Sequence, residues 1–269
     1  MIRIEVVIPA RNEEKFLEPA LKSLVEQTLR PSKVIVVNDG STDRTGEIAS
    51  KYADIVIDLP DRGVRATGTP ALAEVINRGL SEVSPDADYV MILGADVILP
   101  PSFLEEIVSC MRRDGVVVAS GVIEGTWTRE FAVRGTRVVD VRWWRKYGLK
   151  YPVKFGWESW LIFRALKDGL KVKAYNNIKF VSQREVAQSA KRYYYWGKGM
   201  KALNYWPPYA LARIIRTFFR NPLKALAMLK GYLEPTDQID DIRDFVPEFQ
   251  KAYVKNLLKS KLRILSIVI

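Results

Sequence analysis

Short apolar runs alternate with helical patterns over residues 4–120. The first run, Ile4 to Ile8, ends at Pro9 and predicts a buried strand. Further runs predict strands at 34–37, 55–59, 89–93 and 116–120. Between the runs, apolar residues at helical spacing predict helices at 16–25, 43–52 and 70–82, and one more after Pro100-Pro101. Strands and helices that alternate in this way predict an α/β fold with a mostly parallel sheet.

Polar residues directly follow several of the predicted strands. Ligands of open α/β sheets bind at the carboxyl ends of the strands, so the segments of interest are 9–12, 39–41, 61–63 and 94–96. In the first segment Asn12 precedes Glu13 and Glu14, an order typical of a helix N-cap followed by an acidic first turn. We therefore expect Asn12 to cap the first helix.

The residues after 185 have a different pattern, in which basic and aromatic side chains mix. Pro207 and Pro222 each open a stretch of apolar residues at helical spacing, with Arg or Lys residues alongside. A last amphipathic helix is predicted at 247–268. We therefore divide the chain into an α/β domain at 1–185 and a basic amphipathic helical extension at 186–269.

Charge is distributed unevenly along the 269 residues, whose formal net charge is +11. Residues 1–130 carry 14 basic and 21 acidic side chains, whereas residues 131–233 carry 22 basic and 4 acidic ones. A basic segment of this kind favours an anionic partner, such as a phosphorylated ligand, a nucleic acid or a membrane surface. A solvated basic face without a partner is the alternative.

The chain contains no histidine and a single cysteine, Cys110. These counts exclude an intramolecular disulfide, a Cys-cluster zinc site, a Ser-His-Asp triad and a His general base. Acid–base chemistry then falls to carboxylates, Lys, Tyr or Cys, and any metal on oxygen ligands is Mg²⁺ or Mn²⁺ rather than Zn²⁺. The sequence has neither a signal-peptide pattern nor an apolar run long enough to span a bilayer. We therefore expect a cytoplasmic location.

Four segments resemble those of one known family. Three of them lie at predicted strand ends: VVIPARNEE at 6–14, VIVVNDGSTDRT at 34–45 and MILGADVILPP at 91–101. The fourth, FGWESWLIFR at 155–164, is similar to the G-x-E-D-x-x-L-x-x-R segment of that family. In this order the segments resemble the inverting family 2 glycosyltransferases over about residues 2–180. The resemblance implies the GT-A fold of nucleotide-diphospho-sugar transferases.

A site for a nucleotide-diphospho-sugar donor is the first implication of this resemblance. Asp39 would contact the base, while Arg62 and Arg65 suit bidentate contacts to the diphosphate. The remaining residues that we predict to bind the donor follow the first two strands: Pro9, Ala10, Asn12, Glu13, Gly40 and Ser41. The alternatives are an Asn-Asp-Gly turn without a ligand and, for the arginines, solvated loop charges.

A metal site is the second implication. Asp96 matches the second Asp of the family's Asp-x-Asp motif and would bind the divalent metal, Mg²⁺ or Mn²⁺, as well as the donor. Gly94 replaces the first Asp of the motif, and the segment 180–183 lacks the His that the family often supplies. Water and the phosphates of the donor would therefore complete the coordination shell of the metal. A plain turn residue at a strand end is the alternative role for Asp96.

The base of the reaction follows from the fourth segment. Leu161 and Arg164 match the family's L-x-x-R, which puts Trp157 at the family's Glu and Glu158 at its catalytic Asp. We therefore predict that Glu158 deprotonates the acceptor and that Trp157 lines the acceptor site. The alternatives are a salt bridge for Glu158 and packing for Trp157.

These features predict an inverting glycosyltransferase that moves a sugar from a nucleotide-diphospho-sugar to a hydroxyl or lipid-phosphate acceptor. The basic helices suit an anionic membrane, so we expect peripheral association with the inner face of the cell membrane and a lipid-linked acceptor. Packing on the α/β core or a homodimer contact is the alternative for these helices.

Three other classes of protein compete with this prediction. A nucleotidyltransferase would need a Gly-rich signature near the first strand, which the sequence lacks. A nucleic-acid-binding protein could use the basic segment, but the sequence has no motif of a known nucleic-acid-binding module, and we expect no specific nucleic-acid partner. A sugar-nucleotide-binding protein without transferase activity is the third class, motivated by Gly94.

Overall fold

The computed structural model of the protein describes residues 2–128, 135–184 and 189–268, with side chains as far as residue 258. The chain forms two compact units. The first contains residues 1–151 and 168–186, and the second contains residues 152–167 and 187–269. The predicted domain division after residue 185 stays a prediction.

Within the described residues, the first unit contains a sheet of eight strands in the order β3-β2-β1-β4-β7-β6-β8-β5. The strands are β1 (Ile4–Ala10), β2 (Lys33–Asp39), β3 (Ile55–Leu59), β4 (Tyr89–Ile92), β5 (Val97–Ile98), β6 (Val116–Ile123), β7 (Arg137–Asp140) and β8 (Lys171–Ser182). β1 is parallel to β2 and β4, and β2 is parallel to β3. The carboxyl ends of these four strands therefore meet at one edge of the sheet.

The other half of the sheet is mixed. β7 is antiparallel to both β4 and β6. β8 is parallel to β6 and antiparallel to β5. The β5–β8 pairing matters for the site, because it joins the chain directly after Asp96 to the end of β8 through the pair Val97 and Ser182.

Helices cover both faces of the sheet in the first unit. They are α1 (Leu17–Val25), α2 (Thr45–Tyr52), α3 (Pro70–Leu80), α4 (Phe103–Asp114) and α5 (Val141–Arg145). Side chains of α1, α2 and α4 share a buried core with Val6 and Ile8 of β1. α3 packs on the opposite face, where Gly79 lies close to Val7. Burial on both faces is what a near-continuous apolar run such as 4–8 requires.

The structure confirms the five predicted strands and the predicted helices between them. The observed bounds differ from the predicted ones by up to three residues, the largest difference being at the end of β6. The sequence did not predict β5, β7 or β8. β5 and β7 are short, and β7 takes its place through antiparallel pairing with strands that are distant in sequence.

The second unit is helical in its described residues. Its elements are α6 (Trp157–Lys167), α7 (Ala190–Ala202), α8 (Pro207–Phe218), α9 (Pro222–Leu233), a 3₁₀ turn (Asp240–Ile242) and α10 (Phe245–Val268). The predicted helix starts at Pro207 and Pro222 are confirmed, and the Asn221 side chain accepts a hydrogen bond from the Lys224 backbone N–H at 3.0 Å.

α7 and α9 approach each other backbone to backbone. A Cβ atom added at Gly197 would lie 2.0 Å from the Met228 carbonyl oxygen, and one at Gly231 would lie 2.0 Å from the Tyr194 carbonyl oxygen. Only glycine fits at either position. No helix in the described part of the chain combines the length and the apolarity that crossing a membrane requires.

Candidate donor-binding site

The carboxyl ends of β1, β2 and β3 bring the predicted donor-binding residues side by side. In the parallel registers Pro9 lies opposite Val37, Ala10 lies opposite Asn38, and Asp39 lies opposite Leu59. The predictions for Pro9, Ala10 and Asp39 therefore fall on neighbouring positions of one sheet edge. Ligands of parallel sheets bind at this kind of edge.

Asp39 is the most enclosed acidic group at this edge, with 3% of its surface exposed. Its Oδ1 accepts a hydrogen bond from Arg62 Nε at 2.9 Å. Its backbone oxygen accepts one from the Arg11 guanidinium. Burial raises the pKa of the Asp39 carboxyl above its usual value, although Arg62 and Arg11 oppose the shift. Arg62 thus pairs with an anionic group of the protein itself, and its contact with the donor diphosphate stays a prediction.

Gly40 fixes the turn that follows Asp39. Its φ angle is +62°, in the left-handed region. A Cβ atom here would lie 2.4 Å from the Cα atom of Asp61. Both conditions require glycine, so the Asp-Gly pair brings the backbones after β2 and β3 together.

Asn12 does not cap α1, and the expectation that it would is wrong. α1 begins at Leu17, and Asn12 has a φ of +52°. Instead, Asn12 N–H donates to Ser41 Oγ at 3.0 Å, and Thr42 N–H donates to Asn12 Oδ1 at 2.9 Å. Asn tolerates the left-handed region and bonds to nearby backbone, so here it ties the loop after β1 to the loop after β2. Both Asn12 and Ser41 therefore lie at the predicted donor site.

Glu13 is buried beside these loops, with 6% of its surface exposed. Its backbone N–H donates to Thr45 Oγ1 at 2.7 Å. Its carboxylate forms a two-pronged ion pair with Arg184, each N–O distance being 3.1 Å, and lies 3.7 Å from Arg65. Burial raises the pKa of Glu13, while Arg184 and Arg65 lower it and Asp96 adds to the rise.

Asp96 follows β4 at the same edge, as predicted. Its Oδ2 lies 3.1 Å from Arg184 Nε. A Cβ atom at Gly94 would lie 3.1 Å from Asp96 Oδ1 and 3.2 Å from Val97 Cγ2. A side chain at position 94 would therefore crowd Asp96, which gives a physical reason for glycine where the family's motif carries its first Asp.

Arg65 lies beside Asn12 and Glu13. Its Nη2 is 3.4 Å from the Asn12 carbonyl oxygen. About half of the Arg65 side chain is exposed, against about a quarter for Arg62. Arg65 is consequently the more open of the two predicted diphosphate contacts, and both lie within the first unit.

The protein oxygen atoms near Asp96 could hold a divalent metal only together with phosphate and water oxygens. In residues 2–128, 135–184 and 189–258, no group of three or more His, Cys, Asp or Glu side chains is arranged to hold an ion. Mg²⁺ is commonly held by one or two carboxylates together with substrate phosphates, and Asp96 supplies one such carboxylate. The same carboxylate is already paired with Arg184.

The predicted base and acceptor residues lie in the second unit. Trp157 and Glu158 form the first turn of α6. Trp157 is buried and Glu158 is exposed. Nearby in the same unit, Trp160 Nε1 donates to Asp241 at 2.9 Å, and Arg164 lies 3.8 Å from Asp241. The roles of Glu158 and Trp157 stay predictions.

Two arginines at the site were not among the predicted residues. Arg11 was in the segment after β1, and its guanidinium pairs with Asp61 and with the Asp39 backbone. Arg184 follows the end of β8 by two residues, one position beyond the segment searched for a family His. The local sequence did not identify Arg184, because the strand that precedes it, β8, was not predicted.

Comparison with known proteins identifies the class. The sequence model described as "Glycosyl transferase family 2" matches residues 5–169, more than half of the chain. The sheet and its flanking helices are those of the GT-A glycosyltransferase fold. The chain belongs to glycosyl transferase family 2. The predicted family, fold and enzyme class are thereby confirmed.

Individual relatives match different shares of the chain. A 4,4'-diaponeurosporenoate glycosyltransferase of Staphylococcus aureus is 47% identical over 58 residues, which is 22% of this chain and 15% of that relative. Mannosyltransferase PcManGT of Pyrobaculum calidifontis, solved with GDP-Man and Mn²⁺, is 17% identical over 85% of this chain and 70% of its own, with a TM-score of 0.59. TarS of S. aureus, solved with UDP-GlcNAc, is 16% identical over 73% of this chain and 65% of that chain, with a TM-score of 0.56.

Proposed function

We propose that the protein transfers a sugar from a nucleotide-diphospho-sugar to a hydroxyl or lipid-phosphate acceptor, with inversion at the sugar carbon. The observation that carries the proposal is the cluster at the carboxyl ends of β1, β2 and β4. There Asp39, Glu13 and Asp96 are each paired with a guanidinium. A cluster of paired charges at a strand-end crevice suits a ligand that combines a polar base with a charged diphosphate.

The base and the diphosphate would use different parts of the cluster. Asp39 at the end of β2 accepts hydrogen bonds from the base or ribose, at the turn that Gly40 fixes. Arg65 contacts the diphosphate through its exposed guanidinium. The buried Glu13 holds the guanidinium groups of Arg184 and Arg65 in place through its ion pairs with them.

The reaction needs one base and one leaving group. Glu158 takes the proton of the acceptor hydroxyl while the acceptor oxygen forms a bond to the anomeric carbon. The bond between that carbon and the diphosphate oxygen breaks on the opposite face, and the nucleoside diphosphate leaves with the electron pair. A phosphate acceptor is already ionised at neutral pH and needs no base for this step.

Asp96 would hold Mg²⁺ or Mn²⁺ together with the donor's phosphate oxygens. When bound, such a metal neutralises charge that develops on the departing diphosphate. The support is the position of Asp96 after β4 and the GDP-Man and Mn²⁺ bound in the Pyrobaculum mannosyltransferase.

Nucleotide binding is the direct test of this function. We expect UDP or GDP with MnCl₂ to raise the Tm of the protein by several degrees. Ligand at 100 times its Kd stabilises the folded state by about 2.7 kcal/mol. The measurement is a thermal-shift series over UDP, GDP and dTDP, each with MnCl₂, with MgCl₂ and with EDTA.

The control variant for this series is Asp86→Asn. Asp86 is exposed and pairs with Arg3 at the opposite end of β1, so its loss should leave the nucleotide-induced shift unchanged. If no nucleoside diphosphate shifts the Tm of the wild type under any of these conditions, the proposed donor class is wrong.

We further propose that α8 and α9 bind an anionic membrane surface, on which a lipid-linked acceptor is held. Large apolar side chains on these helices and at their junction are exposed, including Phe219 at 84% and Leu223 at 74%. The exposed apolar side chains, here called the α8–α9 surface, are Leu211, Ile215, Phe218, Phe219, Leu223, Leu226 and Leu233.

Basic side chains accompany the α8–α9 surface. Arg216 on α8, Arg220 between the two helices and Lys230 on α9 are exposed. Apolar side chains beside Arg and Lys are typical of helices that lie in a membrane interface. Each basic side chain near an anionic surface contributes about 1 kcal/mol to binding.

Flotation with liposomes tests the membrane proposal. We expect the wild type to float with phosphatidylserine-containing liposomes at low salt and to be released at high salt. The double variant Phe219→Ser/Leu223→Ser should float at least about 10-fold less, because it loses two apolar anchors. The matched control, Val25→Ser, removes an exposed apolar side chain of the first unit and should float like the wild type.

Two results would contradict the membrane proposal. One is a wild type that stays unbound at low salt. The other is a concentration-dependent dimer that the double variant abolishes, since a second copy of the chain would then cover the α8–α9 surface.

A further inference from the structure

Arg184 joins the two carboxylates at the proposed phosphate end of the donor site. Its Nε lies 3.1 Å from Asp96 Oδ2, and its two terminal nitrogens each lie 3.1 Å from an oxygen of Glu13. Its guanidinium carbon lies 4.8 Å from the centre of the Phe16 ring. The Arg184 side chain is 34% exposed, and a guanidinium has five N–H donors, so donors remain for a ligand beyond the three contacts with carboxylate oxygens.

The backbone holds Arg184 in this place. Ser182 pairs with Val97 in the β5–β8 ladder. Gln183 N–H then donates to the Asp96 carbonyl oxygen at 2.9 Å, and Gln183 Nε2 donates to the Phe16 carbonyl oxygen at 2.9 Å. Gln183, the residue before Arg184, is therefore bonded to Asp96 and to Phe16, which both contact the guanidinium. The backbone of the sheet thus positions Arg184 beside Asp96, and the contact does not depend on the side-chain rotamer alone.

A guanidinium and a divalent cation can occupy the same kind of site. Both bind carboxylate and phosphate oxygens, and Arg binds them through two parallel hydrogen bonds. Here the cation that contacts Asp96 is Arg184, which also compensates the buried Glu13. An incoming metal would have to share Asp96 with Arg184 or displace Arg184 from it.

We propose that Arg184 is a resident cation of the donor diphosphate site, which lets a nucleoside diphosphate bind without metal and competes with a divalent metal for Asp96. This inference rests on the proposed donor site. Without donor, Arg184 pairs with both Asp96 and Glu13. When the donor binds, the remaining N–H groups of the guanidinium contact the diphosphate, and a metal on Asp96 adds to this interaction without being required for it.

The experiment measures UDP and GDP binding by calorimetry, with MnCl₂ and with EDTA, in the wild type and Arg184→Gln. We expect the better nucleotide to bind the wild type in EDTA less than about 10-fold more weakly than with Mn²⁺. In Arg184→Gln, affinity in EDTA should fall about 10- to 100-fold, as expected for the loss of charge-assisted hydrogen bonds, while affinity with Mn²⁺ should fall less than about 3-fold.

Metal binding alone gives a second readout that does not depend on activity. Free Mn²⁺ is titrated by its EPR signal against each protein without nucleotide. Arg184→Gln should bind Mn²⁺ more tightly than the wild type, because Asp96 and Glu13 lose their competing cation. Arg184→Lys, which keeps the charge, should retain more of the metal-free nucleotide binding than Arg184→Gln.

Two controls keep the outcome interpretable. Arg184→Gln leaves Glu13 buried without its main cation and can destabilise the fold. The double variant Glu13→Gln/Arg184→Gln, which removes both charges, is therefore measured beside it and should show the same loss of nucleotide affinity in EDTA. Arg113→Gln removes an exposed arginine that pairs with Asp114, and it should behave like the wild type.

The results separate this inference from the proposed function. If the wild type binds UDP or GDP with Mn²⁺ but shows no binding in EDTA, Arg184 is not a resident cation. The inference also fails if Arg184→Gln has the same metal dependence as the wild type in both titrations. If the wild type binds neither nucleotide under any condition, the proposed donor site itself is wrong.

Discussion

Glu158→Gln is expected to lower the rate of sugar transfer to hydroxyl acceptors by about 10²- to 10⁴-fold, the usual contribution of a general base. The amide has nearly the same shape as the carboxylate but cannot take the acceptor proton. Binding of UDP or GDP should be unchanged, since the proposed donor contacts lie elsewhere. The measurement is release of UDP from UDP-GlcNAc and of GDP from GDP-Man, with water as the hydroxyl and with added sugar acceptors.

A matched variant and a second acceptor class sharpen this test. Glu248→Gln removes an exposed carboxylate of the second unit that pairs with Lys251, and it should turn over like the wild type. Transfer to a polyprenyl phosphate needs no base, so Glu158→Gln should affect it far less. A variant that keeps most of its rate with hydroxyl acceptors would rule out Glu158 as the base.

Asp39→Asn is expected to weaken nucleoside diphosphate binding by about 10- to 100-fold. The carboxylate is 3% exposed, and a hydrogen bond to a charged group contributes about 1.5–3 kcal/mol. Because Asp39 is proposed to contact the base or ribose, inorganic pyrophosphate should bind the variant and the wild type alike. Calorimetry with UDP, GDP and pyrophosphate measures both effects.

The pyrophosphate comparison separates base recognition from general damage to the site. Asp39→Asn also removes the partner of Arg62, so a loop that rearranges would weaken pyrophosphate binding too. The variant Asp86→Asn again serves as the control. Equal loss of UDP and pyrophosphate affinity would refute a contact between Asp39 and the nucleoside.

The sequence predicted the parallel half of the sheet well for a physical reason. Strands such as β1 are buried on both faces, so their residues form uninterrupted apolar runs that pattern analysis detects. β8 was missed because lysines and asparagines interrupt its apolar positions. β5 and β7 were missed because two to four residues carry little periodicity. Their strand conformation depends on partners that are distant in sequence.

The site was predictable to the extent that it follows from strand ends. Asp39 and Asp96 come directly after or at the end of apolar runs, and the structure places both at the same edge of the sheet. Asn12 was misinterpreted because Asn-Glu-Glu is also the local signature of a helix start. Its actual partners, Ser41 and Thr42, lie about 30 residues away.

Arg184 illustrates what local sequence could not supply. Its partners Asp96 and Glu13 are 88 and 171 residues away. The β5–β8 pairing and the hydrogen bonds of Gln183 bring these side chains together. The family pattern points to a missing histidine at this place, whereas the ion pairs identify Arg184 as the residue that contacts the carboxylate proposed to bind the metal.

The strand order has a consequence for synthesis on the ribosome. All strands of β3-β2-β1-β4 lie within residues 4–92, so this parallel half can assemble before the rest of the sheet emerges. One side of β4 then stays open until β7, at residues 137–140, can pair with it. At about 5–20 residues per second this interval is about 2–10 seconds. During that time the nascent chain presents an unpaired strand edge, the kind of surface that chaperones protect from aggregation.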